Sequence, residues 1–152
     1  MKKSIKDQAV ALLRSSLGNK EANLHEHQWE SISTLVEKRG GLLVVQRTGW
    51  GKSAVYFIAT QLLRKQGYGP TIIISPLLAL MRNQIDSAAK YGVKLGTVNS
   101  SNTIDENNQT IVNIQNEKKK SSYLWYNRSG WFLSFKIFNK KKLYCSWCKE
   151  KI

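Results

Sequence analysis

Four aliphatic residues, Leu42-Leu43-Val44-Val45, run directly into Gln46-Arg47-Thr48-Gly49-Trp50-Gly51-Lys52-Ser53, and a helical face follows at Val55, Ile58, Ala59, Leu62 and Leu63. A short continuous apolar run reads as a strand buried on both faces. Apolar residues three and four apart read as an amphipathic helix. The two glycines between them permit backbone conformations closed to other residues, so the loop can turn its N–H groups toward one point. The start of the following helix adds its positive dipole end there. This order of strand, glycine loop and helix is the setting of a phosphate-binding loop. In it Lys52 would reach the β- and γ-phosphates of a nucleotide, and the Ser53 hydroxyl would ligate Mg²⁺. The strict pattern begins with Gly, where this chain has Gln46. The bland alternative is an ordinary Gly-rich turn.

The flanking sequence supplies more of the same alternation. Ile5, Ala9, Val10, Leu12, Leu13 and Leu17 recur at helical spacing, with Gly18 as the stop. A second helix is predicted over 26–38, with Trp29, Ile32, Leu35 and Val36 inward. Arg39-Gly40-Gly41 should end it, the cation facing the negative helix end and a glycine taking positive φ. Gly67-Tyr68-Gly69-Pro70 breaks the helix after the loop, and Thr71-Ile72-Ile73-Ile74 is a second β-branched strand. After Ser75-Pro76 a helix over 77–90 should turn Leu78, Met81, Ile85 and Ala88 or Ala89 inward, and a third strand is predicted over 93–98. Strands alternating with helices of this length imply βαβ units, hence an α/β fold with a parallel sheet flanked by helices. The carboxyl ends of all three predicted strands carry polar or glycine-rich residues, which is where open α/β sheets bind ligands.

From about residue 117 the character changes. Lys118 to the end holds nine Lys and one Arg against Glu150 alone, a net +9 within a chain total of +14. So large an excess favours an anionic partner, nucleic acid before an acidic membrane. Because it is concentrated in the tail, it says little about the first 116 residues. Nine of the fifteen aromatic residues also fall there, without clear periodicity. No apolar run approaches the roughly 20 residues of a membrane helix, and no signal-like segment opens the chain. A cytoplasmic protein is the expectation. Cys145-x-x-Cys148 is a single pair, too few ligands for a zinc site, and His25 and His27 lack partners at metal-ligand spacing.

Together these residues resemble the RecQ-like superfamily 2 (DEAD/DEAH-type) helicases over roughly residues 5–115. Thr48-Gly49-Trp50-Gly51-Lys52-Ser53 looks like motif I of that family, which tolerates a non-Gly first position. Gln28, in Leu24-His25-Glu26-His27-Gln28-Trp29, looks like the upstream Q-type motif, whose glutamine reads the adenine edge. The family usually has an aromatic residue followed by Arg just before this motif, where this chain has Leu24-His25. Ser75-Pro76-Leu77-Leu78-Ala79-Leu80-Met81-Arg82-Asn83-Gln84 is similar to motif Ia, and Val98-Asn99-Ser100-Ser101-Asn102-Thr103 to the next strand-end motif, both on the DNA side. The resemblance implies a RecA-like P-loop lobe binding ATP and Mg²⁺ through Gln28, Thr48, Gly49, Gly51, Lys52 and Ser53. Lys52 would be the catalytic contact and Ser53 the metal ligand. It implies a single-stranded or unwinding DNA track at Ser75, Pro76, Arg82, Asn99 and Ser100. Each has a plainer reading: Gln28 and Arg82 as solvated helix residues, Ser75 as a helix cap, Trp50 as a space-filler.

Hydrolysis in such a lobe also needs an acidic motif at another strand end. Asp105-Glu106 follows no predicted strand, and Asp86 lies inside a predicted helix. The expectation is therefore an N-terminal helix over 1–22, a partial RecA-like ATP-binding lobe over 23–116, and a basic aromatic tail over 117–152, irregular and non-native or disordered. Such a chain is a truncated helicase lobe lacking the Walker B acid, inactive alone, its tail an out-of-frame or truncated product of a longer gene. Alternatives are a basic aromatic tail that itself binds single strands, a non-enzymatic nucleotide- or nucleic-acid-binding module, and a non-functional gene remnant.

Overall fold

The computed structural model of the chain describes residues 3–75, 78–116, 122–125 and 132–133. The first helix, α1 (Ile5–Leu17), is fixed by its own ends. The Ser4 hydroxyl accepts the Asp7 N–H at 3.0 Å, the Asp7 carboxylate accepts the Ser4 N–H at 3.3 Å, and Gly18 closes the helix at φ 62°. The second, α2 (Glu26–Val36), stops two residues before the predicted end. The positive φ expected of a glycine there falls instead on Arg39, at 54°. A left-handed non-glycine residue costs about 1–3 kcal/mol. Arg39 offsets it by stacking 3.7 Å over the Tyr68 ring and donating to Gln66 Oε1 at 2.7 Å.

The helix after the phosphate loop, α3 (Lys52–Lys65), is the centre of the molecule. The sequence assigns it one apolar face, yet every residue from Ala54 to Thr60 is buried. The reason is that neighbours cover it on several sides: α1, α2 and α4 (Leu78–Lys90) all pack on it. Phe57 is fully buried, edge-on to Tyr56 at 4.6 Å and stacked on Tyr91 at 5.5 Å. Ile32, Leu35, Val36, Val55, Ile58 and Leu63 complete this helical core. Each fully buried side chain of this kind contributes about 1.5–3 kcal/mol.

The strands depart most from expectation. β1 (Leu42–Leu43) and β2 (Thr71–Ile74) form where predicted, although β1 is shorter. Two further strands, β3 (Ser122–Trp125) and β4 (Phe132–Leu133), come from the stretch expected to be irregular. β2 runs parallel to β3, with Thr71 opposite Ser122 and Ile74 opposite Trp125. β1 pairs antiparallel with β4, Leu42 opposite Leu133. These are two separate pairs, so one continuous parallel sheet is not formed among the described residues. Residues 42–45 are correspondingly not buried on both faces: Val44 is 7% exposed but Val45 is 68% exposed.

The predicted third strand over 93–98 has no ladder. Its side chains still alternate between half-buried and exposed, and Val93 and Leu95 pack on the core. A cleft of about 920 Å³ lies between this segment and β2, lined by both and by α3, α4 and α5 (Ile104–Asn116). The two backbones are separated there, and the period-2 burial pattern is present without ladder hydrogen bonds among the described residues. In α4 only Ala88 of the predicted inward set is buried; Met81 is half-buried and lines the cleft, and Leu78 and Ile85 are 45% and 41% exposed. Sequence reading missed α5 altogether, although Thr103-x-x-Glu106 is a capping-box signature.

Candidate functional site: the phosphate loop and the adjoining strand-end loops

The loop between β1 and α3 is shaped by two left-handed glycines, Gly49 at φ 86° and Gly51 at φ 91°. Gly51 is the residue that caps α3, so the helix begins at Lys52 and Ser53 lies in its first turn. Thr48 and Gly49 are exposed, Ser53 is half-buried, and Trp50 packs against the edge of the core. Trp50 therefore does fill space beside the loop.

Lys52 is only 8% exposed. Its Nζ turns back into the loop and donates to the carbonyl oxygens of Gln46 at 2.6 Å and Arg47 at 2.7 Å. Burial pulls its pKa below the ordinary lysine value of 10.5. The Lys52 ammonium is thus held by the backbone dipoles of its own loop.

Gln28 joins this loop from α2. Its side chain is 5% exposed, so the solvated-helix reading does not hold. Nε2 donates to the Trp50 carbonyl at 2.9 Å, and Oε1 accepts the His25 N–H at 3.0 Å. One amide therefore ties the start of α2 to the turn before Gly51. The fit is close: a Cβ on Gly51 would lie 2.7 Å from Gln28 Nε2.

Ser75 is half-buried just after β2, and Arg82 is exposed on α4. Pro76 lies outside the described residues. Asn99 is half-buried and Ser100 exposed, in the loop that leads into α5. That loop is closed by amide side chains. Asn99 Oδ1 accepts the Ser101 N–H at 2.8 Å, and Asn102 Nδ2 donates to the Thr97 carbonyl at 2.9 Å. Asp105 and Glu106 occupy the first turn of α5.

Glu106 closes the capping box there. Its Oε2 accepts the Thr103 N–H at 2.8 Å and the Thr103 hydroxyl at 3.0 Å. The backbone bond first, then the hydroxyl bond, holds its carboxyl below the usual 4.5. A depressed carboxylate stabilises the fold above its unfolded pKa, and that contribution is lost as pH falls through the lower folded value. On acidification from pH 4.5, the Thr103 amide and first turn of α5 should therefore lose hydrogen-exchange protection, corrected for intrinsic rate, before α3 does. Glu106→Gln should remove this pH response. An unchanged profile in the wild type would contradict the cap.

The sequence pattern of DEAD/DEAH box helicases matches residues 25–143 of this chain. The chain belongs to that family. Membership implies a RecA-like fold, and the match continues past residue 117, into the stretch where the sequence alone showed no likeness. Among individual helicases the likeness is to the RecQ group. The chain is 33% identical over 96 residues to the ATP-dependent DNA helicase RecQ of Bacillus subtilis (strain 168), covering 63% of this chain and 15% of that protein. It is 33% identical over 119 residues to RecQ of Haemophilus influenzae, covering 78% of this chain and 18% of that protein. It is 28% identical over 98 residues to the ATP-dependent DNA helicase Q5 of Rattus norvegicus, covering 64% and 10%. This helicase chain thus aligns with between 10% and 18% of the length of these relatives. Among its described residues no helix is long and apolar enough to cross a membrane.

Proposed function

We propose that this chain is the ATP-binding lobe of a RecQ-like, cytoplasmic DNA helicase, taking ATP·Mg²⁺ at the loop over 46–53 and one DNA strand at the loops after β2 and before α5. The observation that carries this reading is the joining of Gln28 to the phosphate loop. A Q-type glutamine twenty residues upstream of Thr48 in the sequence is bonded to the turn that presents Gly51 and Lys52.

The chemistry follows from what each group now holds. Lys52 would exchange two neutral carbonyl acceptors for anionic phosphate oxygens, and charge-assisted bonds are roughly twice as strong as neutral ones. The N–H groups of the left-handed glycine loop and the start of α3 would complete the cradle. The Ser53 hydroxyl is a hard oxygen donor of the kind Mg²⁺ takes, and the ion, when bound, neutralises phosphate charge. The Gln28 amide carries a donor and an acceptor side by side, the complement of the adenine N7 and N6 edge. Ser75, Pro76, Arg82, Asn99 and Ser100 would position a strand through phosphate and sugar without reading its sequence. The parallel β2–β3 pair supports a RecA-like lobe with a parallel sheet.

Hydrolysis also requires a carboxylate near Ser53. Asp86 lies on α4, and Asp105 and Glu106 lie in α5, where Glu106 serves the cap. The reading is therefore of a chain that binds ATP·Mg²⁺ without turning it over, as an incomplete motor would. Titration with a fluorescent ATP analogue should show saturable, Mg²⁺-dependent binding that ATP displaces better than GTP, and Gln28→Ala should erase that preference. Phosphate release should stay at background with single-stranded DNA added. Absence of binding at millimolar ATP would overturn the nucleotide site. DNA-stimulated turnover that disappears in Lys52→Ala would overturn the incompleteness.

A further inference from the structure

Among the described residues the segment over 93–98 has no neighbouring strand, yet the residue just past its end is bonded as if it had one. Asn107, one turn into α5, accepts the Asn99 N–H on Oδ1 at 3.1 Å and donates from Nδ2 to the Asn99 carbonyl at 2.9 Å. A side-chain amide thus supplies both bonds that an adjacent strand would have made. The same Oδ1 accepts from Asn102 Nδ2 at 3.2 Å, so one side chain grips both ends of the loop over 99–102. An amide oxygen has two acceptor sites, and here both are occupied within the loop.

The helix that carries Asn107 is itself set closely on this segment. A Cβ on Gly96 would lie 3.0 Å from Thr110 Cγ2, so α5 approaches the backbone where no side chain intervenes. The Thr103–Glu106 cap fixes where α5 starts, one turn ahead of Asn107. Ser100, at the apex, stays exposed while its neighbours Asn99 and Ser101 are tied down.

We infer that Asn107 is a positioning residue for single-stranded DNA: it holds the loop over 99–102 in the shape that presents Asn99 and Ser100 to the strand, without touching the strand itself. This rests on the reading of Asn99 and Ser100 as strand contacts. A loop already ordered binds without the entropic cost of being ordered, so releasing it weakens binding although no contact is deleted. The dependence is local. The Asn107 side chain bonds to Asn99 and Asn102, whereas Lys52 donates to carbonyls within the phosphate loop.

The test uses the full chain, a fluorescein-labelled oligothymidylate read by anisotropy, a fluorescent ATP analogue, and amide exchange at Asn99 and Ser101. Asn107→Asp keeps the acceptor and faces the Asn99 carbonyl with a second acceptor; Asn107→Ala removes both bonds. Each should weaken oligothymidylate binding by roughly tenfold and speed exchange at Asn99 and Ser101, with affinity for the ATP analogue within twofold of wild type. Loss of ATP-analogue affinity in step with DNA affinity, in both variants, would show a general structural role and overturn the inference. Unchanged DNA binding in both, beside weakened binding in Ser100→Ala, would also overturn it. If Asn99→Ala and Ser100→Ala likewise leave DNA binding intact, the strand-contact reading falls first and the inference with it.

Discussion

Lys52→Ala is expected to weaken ATP binding by about 100-fold or more. A hydrogen bond to a charged group is worth about 1.5–3 kcal/mol, and this ammonium can direct more than one N–H at the β- and γ-phosphates. Each 1.4 kcal/mol is tenfold in affinity, so two such bonds suffice. The nucleotide-free protein should respond differently. Lys52 is 8% exposed and its ammonium is disfavoured by burial, so the empty fold binds fewer protons than the unfolded chain as pH approaches the unfolded value of 10.5. The destabilisation from the buried charge is present below the lowered folded pKa and is relieved as pH rises through it. The stability of the empty protein should therefore rise over the window that ends at 10.5, while ATP affinity, which needs the ammonium, falls over the same window. The carbonyls of Gln46 and Arg47 limit how far the pKa drops, because they accept from the charged form. Chemical denaturation and ATP titration, each followed across that range, should give slopes of opposite sign, and Lys52→Ala should flatten both. Parallel slopes would mean that Lys52 does not reach the nucleotide.

The contrast between loop and sheet shows which physical information the sequence carries. The C-terminal end of α1 was legible because Gly18 acts on its own helix, whereas the Ser4–Asp7 capping box at its start was not read. The start of α3 was legible for the same reason: Gly51 and Lys52 belong to one local pattern. The third strand was not, because a strand needs a partner, and residues 93–98 keep the alternating burial of a strand while facing a cleft. Arg39 was misread because its left-handed backbone is supported by Tyr68 and Gln66, nearly thirty residues away. At the site itself, residue types and spacing singled out the loop, and the family resemblance set Gln28 beside it as an expectation. They did not show that Gln28 is bonded to Trp50, which depends on how α2 packs on α3, or that Lys52 folds back onto the Gln46 and Arg47 carbonyls. The local signals that were overlooked are the two capping boxes, Ser4–Asp7 and Thr103–Glu106.

Gly51→Ala should be the most damaging glycine-to-alanine change among the described residues. Two separate costs meet at this position. Gly51 has φ 91°, and a residue with a Cβ held in so sparsely populated a region costs about 1–3 kcal/mol. The added carbon would also stand 2.7 Å from Gln28 Nε2. A free glutamine end would swing aside at little cost, but this one is bonded at both amide atoms, to the Trp50 carbonyl and the His25 N–H. Moving it breaks bonds worth about 0.5–1.5 kcal/mol each and unseats the start of α2. The sum, about 2–6 kcal/mol, corresponds to a drop in Tm of several degrees or more for a domain of this size, and the cradle for the β- and γ-phosphates should be lost with it. A double-mutant cycle with Gln28→Ala separates the two costs. Removing the Gln28 side chain relieves the clash and leaves the backbone strain, so the double variant should be more stable than the two single losses added together, yet still well below Gln28→Ala alone. Strict additivity would mean that Gln28 and Gly51 are not in contact. Full recovery to the level of Gln28→Ala would mean that the left-handed backbone at Gly51 imposes no constraint, and that the loop accepts a shape other than the one that points Lys52 at Gln46 and Arg47.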